Sequence, residues 1–99
     1  MEPFQRFKKL NTEGNLWVYV LSLGKEGEVR EEDIARLIFE KFGFLPGSLL
    51  VKKVLYLLKK GEYIKGEKYK GKKAYRTTEK GLAEMEKMKK FYQELLQKI

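Results

Sequence analysis

Neither cysteine nor histidine occurs among the 99 residues. Disulfides are therefore excluded, and so are metal centres built on thiolate or imidazole. A histidine-activated nucleophile is excluded as well, and Asp33 is the sole aspartate, so no nucleophile–base pair of an enzyme can be assembled from neighbouring residues. Phosphate-loop signatures are missing: Gly66 and Gly71 lack a following Gly-Lys-Ser/Thr entry into a helix. No cofactor and no metal site are expected. Long hydrophobic runs are absent too. The longest, residues 16–21, falls far short of the roughly 20 residues needed to cross a bilayer, and no membrane partner is expected. Residues 1–10 carry Arg6, Lys8 and Lys9 but lead into no signal-like apolar stretch, so a cytoplasmic location is the default. Asn and Gln are few beside abundant Lys and Glu, a balance resembling that of hyperthermophile proteins.

What is present points to one folded domain. The chain is 42% apolar and 13% aromatic, too rich in both for a disordered segment, and its length suits a single core. Its charge of +8 is unevenly spread: from Lys59 to Arg76 eight cations face two anions, a local surplus of +6. A lysine run is most often just a solvated face. Concentration of charge this strong in eighteen residues points instead to a polyanionic partner.

The stretch 45–78 organises the chain. Pro46 suits the start of a helix, in which Leu50, Val54, Leu57 and Leu58 make one apolar stripe. Lys52, Lys53, Tyr56, Lys59 and Lys60 take the remaining surface, and Gly61 stops the helix in a left-handed cap. Tyr63 and Ile64 then lead one strand, Tyr75 and Thr77 lie in another, and Gly71 sits in the lysine-rich connection. Upstream, Glu31, Glu32 and Asp33 crowd the first turn of a helix bearing Ile34, Leu37, Ile38 and Phe42, where acids suit the helix dipole better than they would a metal. Gly43 closes that helix. Two amphipathic helices joined through Gly43–Pro46 and followed by a basic hairpin form a winged helix-turn-helix, α+β and mostly α. Val29 is read as a short strand beside the hairpin.

Ahead of this unit, Leu16, Tyr19, Val20 and Leu23 mark a helix ended by Gly24, with Thr12 or Asn15 as its cap and Trp17 in the core or an interface. Phe4, Phe7 and Leu10 make a short N-terminal helix whose stripe is expected to pack on the core; a dimer-clasping arm or an extra ligand contact are the alternatives. The longest helix follows Thr77 or Thr78 as cap. Gly81 in its first turn marks a close approach of two backbones. Leu82, Met85, Met88, Tyr92, Leu95, Leu96 and Ile99 give it an apolar face wider than docking requires, and are expected to pair two subunits. The chain thus divides into residues 1–78, a DNA-binding unit with an N-terminal arm, and 79–99, a dimerisation helix, within one compact domain.

Leu16–Leu23, Ile34-Ala35-Arg36, Phe42-Gly43, Pro46-Gly47-Ser48, Leu50–Gly61 and Tyr75-Arg76-Thr77-Thr78-Glu79-Lys80-Gly81 together resemble the PadR-like winged-helix transcriptional regulators. The likeness runs over residues 15–99. It departs from the family at Val29–Asp33, where a Gly-Tyr pair is common, and in a recognition helix one residue longer between Gly47 and Gly61. The resemblance implies a cytoplasmic homodimer that binds double-stranded operator DNA and usually represses. Helix 47–60 would read the major groove through Ser48, Leu49, Lys52, Lys53 and Tyr56. The wing, 62–77, would meet the backbone through Lys65, Lys68, Lys70, Lys72, Lys73 and Arg76. Absence of Arg, Asn and Gln from the reading face predicts modest sequence specificity. The competing reading is a winged-helix module for protein contacts within a larger nucleic-acid-handling assembly.

Overall fold

A computed structural model describes residues 2–99. Pro3 occupies the first turn of α1 (Pro3–Leu10), and a short 3-10 turn leads into α2 (Leu16–Gly24). Strand β1 (Val29–Arg30) precedes a second 3-10 turn and α3 (Ile34–Phe42). Gly43, at φ 83°, ends α3 in the left-handed region open to glycine. Then come α4 (Ser48–Lys60), β2 (Ile64–Tyr69), β3 (Lys72–Thr77) and α5 (Glu79–Lys98). The strands form one antiparallel sheet in the order β1-β3-β2. Lys70 and Gly71, at φ 52° and 77°, make the two-residue connection whose twist matches that of a hairpin.

Leu16, Val20 and Leu21 of α2 meet Ile34 and Ile38 of α3, Val51, Leu55 and Leu58 of α4, and Ile64, Tyr75 and Met85 in a single core. Buried polar groups are paired. Tyr75 Oη donates to Val20 O and Thr77 Oγ1 to Leu21 O, each at 2.7 Å, so β3 is stitched to the C-terminal half of α2. Tyr19 packs edge-on against Phe42 and Phe44 at 4.9 Å, which fixes the α3–α4 connection on α2.

Several expectations need correction. The buried stripe of α4 is Val51, Leu55 and Leu58; Leu50 and Val54 are flanking residues and Leu57 is half exposed. Apolar residues cover two adjacent faces of this helix, and only its position over α2 and α3 selects between them. Gly61 is right-handed (φ −82°), and the left-handed residue is Glu62 at φ 63°. There the Glu62 N–H bonds Lys59 O and the Tyr63 N–H bonds Leu58 O, a Schellman closure. Glycine serves a different purpose at 61: a Cβ there would stand 2.5 Å from the Tyr63 ring. Asn15 stands at the N-cap position of α2 but makes no side-chain capping bond; its amide, like the Thr12 hydroxyl, turns back to the end of α1, to Leu10 O and Lys8 O respectively. Of the two threonines, Thr78 caps α5 by accepting the Gly81 N–H, at 3.2 Å. Phe4, Phe7 and Leu10 do not join the core but stay 71%, 56% and 51% exposed, because α1 is tethered only at its end, where Asn11 meets Tyr19 and Tyr92. Met85 is not free for pairing either: the first turns of α5 dock on the core and bury it.

Candidate nucleic-acid interface

Helix α4 turns Leu49, Lys52, Lys53 and Tyr56 outward, with Ser48 exposed in its first turn. Gly47 precedes it in an extended conformation, and no acidic residue lies in the first turn, so the positive end of the helix dipole is unopposed. Pro46 is buried and holds the connection from α3 against the body.

The hairpin continues from the far end of α4. Directly opposed residues share a sheet face, and faces alternate along a strand. One face therefore carries Ile64, Gly66 and Lys68 with Thr77, Tyr75 and Lys73; the other carries Lys65, Glu67 and Tyr69 with Arg76, Ala74 and Lys72. At its root the first face belongs to the core, since Ile64, Tyr75 and Thr77 are buried. The wing lysines predicted as one set thus divide between two surfaces, with Lys70 in the turn.

Acidic residues engage only some of them. Arg76 donates to Glu28 at 2.7 Å and lies 3.3 Å from Glu67, Lys59 reaches Glu31 at 2.8 Å, and Lys72 lies 3.8 Å from Glu32. Lys52, Lys53, Lys65, Lys68, Lys70 and Lys73 have no carboxylate partner among the described residues. Charge counting along the sequence did not reveal this sorting. Its one visible signal was Val29, whose pairing with Tyr75 brings the acids around β1 to the wing.

Two acids of this segment, Glu28 and Asp33, carry a pH dependence. Glu28 lies below the usual carboxylate range because of its own backbone N–H and then Arg76. Desolvation pushes Asp33 up, but Arg30 and Arg36 together outweigh it and hold the carboxyl down. Groups depressed in the folded state stabilise it at neutral pH, and that stability is lost as pH falls through their folded values. Urea midpoints should therefore drop below about pH 4, and Arg76→Gln should remove part of that drop.

No protein-family model and no curated protein matches the sequence. Solved structures do match. A PadR-like transcription factor from Bacteroides fragilis superposes with a TM-score of 0.75 at 18% identity, covering 94% of each chain. A transcriptional regulator from Clostridium thermocellum gives 0.73 at 26% identity, over 86% of this chain and 85% of that one. Bacillus subtilis PadR, solved in complex with operator DNA, gives 0.67 at 23% identity over 75% of this chain. The fold is that of the PadR-type winged helix. This winged helix spans only 46% of the Bacillus subtilis chain.

Two features of the winged helix escaped the sequence reading. One is the acidic segment around β1. The other is an open groove of about 660 Å³ between α2, α4 and α5, lined by Trp17, Val54, Leu57, Met88 and Phe91 among others. Leu57 and Phe91 are each more than half exposed. Beyond the groove, Leu95 is 36% exposed, Leu96 69% and Ile99 88%, so the C-terminal end of α5 presents three of the seven expected pairing residues. Leu82 is also exposed, Met88 is half-buried, and Tyr92 is half-buried with its hydroxyl on Asn11. Among the described residues no helix is long and apolar enough to cross a membrane.

Proposed function

We propose that this chain is a transcription regulator that binds double-stranded DNA as a homodimer and represses by occupying its operator. Helix 47–60 lies in the major groove, where Lys52 and Lys53 reach guanine acceptors, Leu49 touches a thymine methyl and Ser48 meets a phosphate or base edge. The wing, 62–77, follows the backbone and adds affinity without sequence information. One observation carries this reading: the outward face of α4 and the adjoining wing both hold lysines with no carboxylate partner among the described residues (Lys52 and Lys53 on the helix, Lys65, Lys68, Lys70 and Lys73 on the wing), while Lys59, Lys72 and Arg76 are paired. A solved relative of this fold in complex with operator DNA supports it.

The test is selection of a preferred sequence from random duplexes, followed by affinity measurements at two salt concentrations. Lys52→Ala should weaken the selected site by roughly 10-fold, the lower half of the range for one base contact, with a smaller effect on a scrambled duplex. Equal loss on both would make Lys52 a phosphate contact. Duplex binding that ignores salt would overturn the DNA reading and favour a protein-contact module.

A further inference from the structure

Two pairs of like charges face each other directly across the hairpin: Lys65 opposite Arg76, and Lys68 opposite Lys73. Such pairs are destabilising, with Cβ atoms only about 4.5–5.5 Å apart. The chain answers the first, since Glu28 and Glu67 reach Arg76 from either side. It leaves the second unanswered, for neither Lys68 nor Lys73 has a carboxylate partner among the described residues. Glu67, adjacent in sequence to Lys68, points to the other face. An uncompensated cost retained beside a compensated one marks a position whose counter-charge arrives from outside.

We propose that Lys68 and Lys73 form a phosphodiester clamp at the wing tip, each neutralising one backbone phosphate, and that Glu28, Arg76 and Glu67 are a structural brace standing off the DNA. This rests on the DNA-binding reading and sharpens it, because it removes Arg76 from the set of contacts. Lys70, whose ammonium lies 5.3 Å from the centre of the Tyr69 ring, flanks the clamp in the turn.

The experiment measures two quantities for Lys68→Gln, Lys73→Gln, their double variant and Arg76→Gln. The first is the salt dependence of affinity for a random duplex of about 20 base pairs, between roughly 50 and 200 mM salt. The second is the melting temperature of the free protein at low salt. Each lysine substitution should reduce the salt slope by about 0.9, so that affinity falls about 3.5-fold less over that range. Each should also raise the melting temperature. The double variant should be additive in slope but not in melting temperature, because either substitution alone removes the repulsion. Arg76→Gln should do the reverse, lowering the melting temperature and leaving the slope intact. Slopes unaffected by the lysine substitutions, in a wild type that remains salt-dependent, would overturn the clamp alone. So would an Arg76→Gln slope reduced as much as theirs. Wild-type binding without salt dependence would overturn the DNA reading and the clamp with it.

Discussion

Replacing Gly81 by alanine should destabilise the fold by about 2–3 kcal/mol, the upper part of the usual cost of overpacking. In an unencumbered helix the same change would be favourable by about 1 kcal/mol, so its sign is diagnostic. A Cβ at Gly81 would lie 2.3 Å from Tyr63 O, 2.8 Å from Thr77 Cγ2 and 3.2 Å from Leu21 Cδ2. The nearest of these is backbone, and it is already committed: Tyr63 O accepts the Thr78 N–H at 3.1 Å. Tyr63 also closes the end of α4 by donating to Leu58 O. No side-chain rotation relieves the contact. Either α5 tilts away and strains the Thr78 cap, or the junction between α4 and β2 opens. Chemical denaturation measures the result, and Gly14→Ala is the control, since its nearest neighbours would be 3.5 Å away. Stability of the Gly81 variant equal to that of the wild type would mean that the two backbones do not meet here.

The close approach at Gly81 was legible because glycine in a first helical turn otherwise has no reason to be there. The α3–α4 unit was legible for a similar reason: Gly43, Pro46 and Gly61 punctuate two amphipathic periods. Lys70-Gly71 likewise announces a hairpin through backbone chemistry alone. Where several side chains satisfy the same pattern, local reading loses its grip. Helix α4 has apolar residues at 49, 50, 51, 54, 55, 57 and 58, and choosing Val51–Leu55–Leu58 for the core depends on α2 and α3, which no window on α4 contains. The left-handed residue is Glu62 rather than Gly61, and glycine at 61 answers a packing demand instead, since the Tyr63 ring takes the space a Cβ would fill. Charge was hardest to read. Lys72 and Lys73 are neighbours in sequence with opposite surroundings, and only strand register separates the lysine near Glu32 from the one facing Lys68.

Converting Leu96 and Ile99 to glutamate should turn a dimer into a monomer and reduce affinity for a two-site duplex by roughly 10²- to 10⁴-fold, the advantage lost when two linked sites become independent. These side chains are 69% and 88% exposed in the protomer, so their replacement removes little internal packing and the melting of an isolated protomer should hardly change. Helix α5 has 20 residues, about 30 Å of rod, and its buried residues, Gly81 and Met85, both lie in the first half. The second half keeps Phe91, Leu95 and Leu96 at the surface, with Ile99 just past its end, an apolar expense that the proposed two-fold partner would offset by presenting the same face in return. Pairing there would join two copies of α4, whose separation must match half-sites about 34–36 Å apart for both to enter the major groove. Sedimentation gives the mass, and titration of a palindromic and a single half-site duplex gives the affinities. The double glutamate variant should bind the half-site as the wild type does and lose only the palindrome's advantage. A variant that still sediments as a dimer would move the pairing surface to the exposed Phe4–Phe7–Leu10 stripe of α1. A monomeric wild type would leave the breadth of the α5 face without the role assigned to it.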